Sequence, residues 1–265
     1  MDFRLTIPFL CSLLLLTACG HVEETRSARQ QQATEFNQRA QRAFQRGEYQ
    51  AAATLYENAL QLDVAVENVN GIAINMLNLA KVSQVQGNTA LAQRYLDSLL
   101  QDMSLHYAPQ HLAAAAVQKS LLRLQADDAE GASVWVDKAA ALCATDCTLT
   151  GVIDNARAGI ALHANDADKT LYWSERASSE NKGVSPLEYA NSLRLTASAR
   201  LLKNESDAAL RLLEEALAID KSLGLPEKIR LDLLLSAQAH EKSGHAEQAA
   251  QFRDRAARIA ATALK

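Results

Sequence analysis

The chain has 265 residues with 27 basic and 31 acidic side chains, a formal net charge of −4. That balance excludes the basic stripe with which a protein tracks a nucleic-acid backbone. Aromatic residues make up only 5% and proline occurs four times, while Ala and Leu dominate; this favours helix throughout, and no alternating Val/Ile/Thr run is long enough for a strand.

The first element is an apolar run of twelve residues, Leu5 to Leu16, behind a short polar start with the single base Arg4. A helix crossing the hydrocarbon core needs about 20 apolar residues. A short apolar core followed by small residues and then polar chain is the pattern of a secretory leader. Leu16-Thr17-Ala18-Cys19 resembles the bacterial lipobox. The resemblance implies cleavage before Cys19, which becomes the lipidated N-terminus. Several acyl chains anchor stably where one would not. Gly20, in place of the Asp often associated with inner-membrane retention in lipoproteins, implies sorting to the outer membrane, facing the periplasm. The expected organisation is a leader over 1–18, a lipidated N-terminus and polar tether over 19–32, and a folded region over 33–265.

Residues 36–63, FNQRAQRAFQRGEYQAAATLYENALQLD, carry a repeat unit. Ala40 is a small residue on a first helix, Gly47 lies in a turn, and Ala52, Tyr56 and Ala59 share one face of a second helix at steps of four and three. Two small residues, Ala40 and Ala52, let antiparallel helices approach closely. The pattern resembles the tetratricopeptide repeat (TPR), with Val64 where that family usually has Pro.

The pattern recurs down the chain. The second copy has Ala80, Gly87, Ala92 and Leu96, with Asn88 as a candidate N-cap. The third has Ser120, Asp127, Ala132 and Val136; the fourth has Ala158, Asn165, Thr170 and Ser174. The fifth has Ala197, Asn204, Ala209 and Leu213, and the sixth Ala237, Gly244 and Ala249. The second-helix contact position therefore falls at Ala52, Ala92, Ala132, Thr170, Ala209 and Ala249, at intervals of 40, 40, 38, 39 and 40. This exceeds the common 34-residue period and resembles the longer TPR variant of kinesin-light-chain-like proteins, whose NLAxVxxxxG string matches Asn78 to Gly87. The implied fold is all-α, a right-handed α-solenoid of about six TPR-like helix pairs, in which each repeat contacts mainly its neighbours. Pro109, Pro186 and Pro226 are expected to open first helices, and Ser185-Pro186-Leu187-Glu188 reads as a capping box.

No constellation for catalysis stands out. Ser179 to Lys182 matches SxxK, but in an expected inter-repeat loop and without partner motifs. His106 and His111, like His240 and His245, are five apart, whereas a helical metal pair needs three or four. No cofactor beyond the lipid on Cys19 is expected, and no metal. Cys143 and Cys147 form CATDC at the junction of the third and fourth copies; behind a secretory leader this spacing suggests a small structural disulfide across a helix end.

What remains is surface. TPR proteins usually bind a peptide or helix in the groove lined by first helices, and the matching positions here are Asn37, Gln41, Lys81, Asn155, Arg194 and Gln238. These residues suit peptide amides and do not reproduce the carboxylate clamp of chaperone-binding TPRs. The resemblance implies a protein-binding scaffold rather than an enzyme, working with a partner of pilus or secretin assembly, outer-membrane-protein assembly or peptidoglycan synthesis. The alternative is a cell-wall or small-ligand binding module, or an enzyme, using the same groove. Self-association is left open.

Overall fold

The computed structural model describes residues 27–263, apart from 103 and 145–146. The leader and Cys19 lie outside the described residues. The elements are α1 (Ala28–Gln45), α2 (Tyr49–Val64), α3 (Val69–Val85), α4 (Thr89–Gln101), α5 (Pro109–Gln125), α6 (Ala129–Leu142), α7 (Thr150–His163), α8 (Ala167–Asn181), α9 (Pro186–Leu202), α10 (Ser206–Leu223), α11 (Pro226–Lys242) and α12 (Ala246–Ala263). They pair in order, α1 with α2 through α11 with α12, and the pairs stack into an all-α solenoid.

The turn inside each pair is built the same way. Each holds one residue in the left-handed region: Gly47, Gly87, Asp127, Asn165, Asn204 and Gly244, at φ between 57° and 80°. Gly, Asn and Asp are the residue types that reach this region at least cost. Asp127 and Asn165 thus do for the third and fourth pairs what Gly47 and Gly87 do for the first two. Five residues after each turn residue stands the contact position, Ala52, Ala92, Ala132, Thr170, Ala209 or Ala249, and none is more than 1% exposed. The facing positions, Ala40, Ala80, Ser120, Ala158, Ala197 and Ala237, are equally buried. The approach is close enough for the Ser120 hydroxyl to donate to the Ala132 carbonyl oxygen across the pair, at 2.7 Å.

Helix starts follow their caps. Asn88, Asp128 and Asp166 each accept a backbone N–H at the start of a second helix, and Pro109, Pro186 and Pro226 each stand in the first turn of a first helix. Three details differ from expectation. The tether was expected to run to Gln32, but α1 begins at Ala28, because Ser27 and Gln30 form a reciprocal capping box. At Ser185 only half of the expected box forms. The Ser185 hydroxyl accepts from the Glu188 N–H at 3.4 Å, while the Glu188 carboxylate turns away to accept from Asn155 and Asn191. The SxxK match lies not in a loop but in the last turn of α8, where Asn181 is buried.

Junctions between pairs come in two kinds. Three are pinned by a buried polar group eleven residues after the contact position, meeting one five residues before the next first-helix small residue. Asp63 accepts from Asn75 at 2.8 Å and from Asn68 at 2.7 Å. Asn181 donates to the Ser192 hydroxyl at 3.3 Å. Asp220 and Asp232 are bridged by Arg194. The two central junctions, 102–108 and 143–149, are the longest connections, seven residues each. Cys143 and Cys147 are disulfide-bonded in the second of them, with Cα atoms 5.1 Å apart. Apolar clusters cross both: Leu96, Leu99 and Tyr107 with Ala115 and Leu122 in one, and Val136 and Ala139 with Ile153 and Ala156 in the other.

Charge also crosses these central junctions, in a pattern that repeats. Lys119 pairs with Asp97 and sits 4.2 Å from the Trp135 ring centroid. Arg157, at the equivalent place one repeat on, is 3.1 Å from Asp137 and 4.7 Å from the Trp173 centroid. Each indole is covered on its own helix too, by Lys138 at 4.8 Å and Arg176 at 5.1 Å. Such cation–ring contacts contribute about 0.5–1 kcal/mol each at exposed sites.

Two substitutions test this construction by urea unfolding. Ala52→Arg forces a charged side chain into a fully buried contact and is expected to cost about 3 kcal/mol; an unchanged midpoint would mean the helix register is wrong. Gly87→Ala meets no atom within 4 Å of its new Cβ, so its expected cost of about 1–2 kcal/mol is backbone strain alone, and Gly87→Asn should recover part of it.

Candidate partner-binding surface

The first helices α3, α5, α7, α9 and α11 line one face of the stack, and two grooves open along it. The larger, about 1080 Å3, lies where α1, the end of α2 and the start of α3 meet. Its lining is rich in carboxamides, including Asn37, Gln38, Gln41, Asn70 and Asn78. The second, about 510 Å3, runs across α5, α7, α9 and α11. Its walls are aliphatic, with Val117, Leu121, Val152, Leu162, Leu231 and Leu235, and its polar side chains are Asn155, Glu188, Asn191, Arg194, Ser198 and Lys228.

The six expected binding residues are divided among these places. Asn37 and Gln41 meet in the larger groove. Gln41 accepts from the Tyr56 hydroxyl at 3.0 Å, and the Asn37 carbonyl oxygen is buried without a hydrogen-bond partner. Asn155 and Arg194 meet in the second groove, but both are consumed by the fold. Asn155 donates to the Glu188 carbonyl oxygen at 3.0 Å and accepts from Ser192 at 2.8 Å. The Arg194 guanidinium is buried and donates to Asp220, to Asp232 at 2.9 Å and to the Asn191 side-chain oxygen at 2.5 Å. These two residues hold the groove's shape rather than offering free hydrogen bonds. Lys81 is exposed on α3, 5.2 Å from the Phe44 ring centroid, and Gln238 is exposed on α11; neither lines the two grooves.

Four residues of this surface were not singled out from the sequence: Asn191, Asp220, Asp232 and Lys228. One signal was present. Asp232 interrupts the apolar string Leu231 to Leu235, and a carboxylate in the middle of such a string is buried only with a partner. What the sequence lacked was the identity of that partner, 38 residues upstream.

The electrostatics follow from burial. One Arg194 faces two carboxylates, and Asp220 Oδ1 and Asp232 Oδ2 have no hydrogen-bond partner. Burial, reinforced by the neighbouring Asp220, pushes the Asp232 carboxyl up to about 7 against the opposing pull of Arg194. Lys228 is shifted down, first by burial, then by the positive charge of Arg194, with Lys81 adding to it.

Among the described residues, no histidine lines either groove. His240 stacks on Phe252 at 5.2 Å and lies 5.9 Å from His245, and His163 is 2.8 Å from Asp127. Among the described residues no group of three or more His, Cys, Asp or Glu is placed to hold a metal ion, and no helix is long and apolar enough to cross a membrane.

Helix pairs with small residues at their contact, left-handed turns five residues before them and a grooved face of first helices define an all-α solenoid of TPR-like repeats. No protein-family model and no curated protein matches the chain. Among solved structures it is similar to two TPR-type proteins. One is BtubC (BKLC) from P. vanneervenii, with a TM-score of 0.56 and 16% identity over 89% of this chain and 92% of that one. The other is PilF of Pseudomonas aeruginosa, with a TM-score of 0.52 and 15% identity over 85% of this chain and 90% of that one. It is also similar to aspartyl phosphate phosphatase F from Bacillus subtilis, at a TM-score of 0.56 and 11% identity, covering 79% of this chain and 56% of that one. At these identities the likeness is one of fold.

The buried carboxylate pair gives a pH dependence with a definite sign. The Asp232 carboxyl is raised in the folded state from 3.8 to about 7, so between those values the native chain holds more protons than the unfolded one. Stability therefore falls as pH rises through that window. Urea midpoints at about pH 5 and about pH 8 should show wild type less stable at the higher pH, and Asp232→Asn should flatten the difference. Equal slopes in the two proteins would remove Asp232 as the cause.

Proposed function

We propose that this chain is a lipid-anchored, non-enzymatic scaffold at the periplasmic face of a bacterial outer membrane, holding a protein partner of a cell-envelope assembly. The pilus or secretin, outer-membrane-protein and peptidoglycan-synthesis classes all remain open as its setting. The anchor rests on Leu16-Thr17-Ala18-Cys19 and the apolar run before it. The binding role is carried by one observation: the aliphatic groove across α5, α7, α9 and α11 opens on the face of the first helices, with Leu121 and Leu231 each about 40% exposed. An open aliphatic groove laid across four first helices suits an apolar chain segment. The general likeness to TPR-type structures supports the same reading.

A second reading, a cell-wall or small-ligand module, draws on the carboxamide-lined groove of the first repeat. Its neutral donors and acceptors suit sugars or peptide amides.

Two experiments test the proposal. A photocrosslinking residue at Leu121 or Leu231, introduced one at a time in growing cells, should capture a single envelope protein, while the same residue at Val134, 63% exposed on α6, should not. Capture from Val134 alone, or recovery of glycan without protein, would overturn the groove as a protein-binding site. Separately, Cys19→Ser should leave the solenoid folded and release it to the soluble fraction. A variant still sedimenting with membranes after a high-salt wash would refute the anchor.

A further inference from the structure

Resting on the scaffold reading above, we infer that the partner segment held across α5, α7, α9 and α11 is aliphatic and acidic: a short apolar stretch with one carboxylate that pairs with Lys228.

The argument is an accounting of the charges in this groove. Of the acidic groups there, Asp220 and Asp232 face a cation and Glu188 is held by amides. The Glu188 carboxylate accepts from Asn155 and Asn191, each at 3.1 Å. Asp220 and Asp232 are both held by Arg194. Arg194 donates in turn to those two carboxylates and to Asn191. Of the two cations there, Lys228 is the one with no carboxylate at ion-pair distance. Its ammonium donates to the side-chain oxygen of Asn191 at 3.0 Å, an oxygen it shares with Arg194. Among the described residues no carboxylate pairs with it, nor with Lys81.

An ammonium beside a guanidinium, largely removed from water and bonded to a neutral amide, leaves donors without an anion. A ligand carboxylate would complete them with a charge-assisted hydrogen bond inside an apolar cleft, where such bonds are strongest. A Lys or Arg on the ligand at the same place would meet the Lys228 ammonium instead. The aliphatic walls, Val117 and Leu121 on one side and Leu231 and Leu235 on the other, set the rest of the segment.

The test is selection from a random dodecapeptide library on the immobilised folded chain. Wild type should enrich peptides that combine Leu, Ile, Val or Phe with an Asp or Glu at a fixed spacing. Lys228→Gln keeps the bond to Asn191 but not the charge, and should abolish the acidic preference; Lys228→Arg should restore it. For a selected peptide, Glu→Gln should weaken binding roughly tenfold or more to wild type and change little on Lys228→Gln. Apolar peptides enriched without an acid, and lost on Leu231→Asp, would overturn the carboxylate while leaving the groove reading intact. Enriched peptides indifferent to both Leu231→Asp and Lys228→Gln, or no enrichment at all, would overturn both.

Discussion

The architecture depends on how closely two helices can approach within a pair. That distance is set by small residues facing each other at Ala40 and Ala52 and at their equivalents in every later pair. A larger side chain at either position would separate the helices and alter the stacking angle of the next pair. The constraint is enforced from the turn. One left-handed residue five positions before the contact fixes the direction in which the chain re-enters, and only Gly, Asn and Asp occupy that place in this chain. Everything farther along, including which side chains reach the first-helix face, is inherited from this geometry.

Stacking the pairs then brings together residues distant in sequence. Arg194 on α9 meets Asp232 on α11, and Asn155 on α7 meets Glu188 and Ser192 on α9. The polar chain that results runs under the aliphatic groove from α7 to α11 and fixes its floor. It is costly to build, because two carboxylates share one guanidinium away from water. Once it is in place, the groove is rigid at its base while its aliphatic walls stay half exposed.

The repeat was legible in the sequence because its signals are local. Turn residues, small contact residues and helix-opening prolines each act within a few positions, so Gly47, Ala52 and Pro109 could be placed without knowing the rest of the fold. The third and fourth copies, with Asp127 and Asn165 at the turn in place of Gly, were placed mainly by the constant spacing. Boundaries were less legible: the Ser27 and Gln30 box extends α1 past its expected start, and Glu188 abandons its own cap for Asn155, a residue 33 positions away. The candidate site was read least well for the same reason. Position on the first-helix face identified Asn155 and Arg194, but only the packed structure shows that their hydrogen bonds are spent internally, or that Lys228 is left facing the groove.

The two kinds of junction give the stack unequal stiffness. Where Asp63 meets Asn75, or Arg194 meets its two carboxylates, the bonds are directional, and a small shift between pairs breaks them. Among the described residues the central junctions are crossed by apolar clusters and by the ion pairs Lys119–Asp97 and Arg157–Asp137, and the apolar contacts keep most of their energy when helices slide by a fraction of an ångström. In a row of units that touch only their neighbours, deformation collects in the most compliant joints, as in springs joined end to end. The middle of this solenoid is therefore where its curvature can be adjusted. Val117, Leu121 and Val152 stand at that place, so the aliphatic groove can open or narrow while both ends of the stack keep their form.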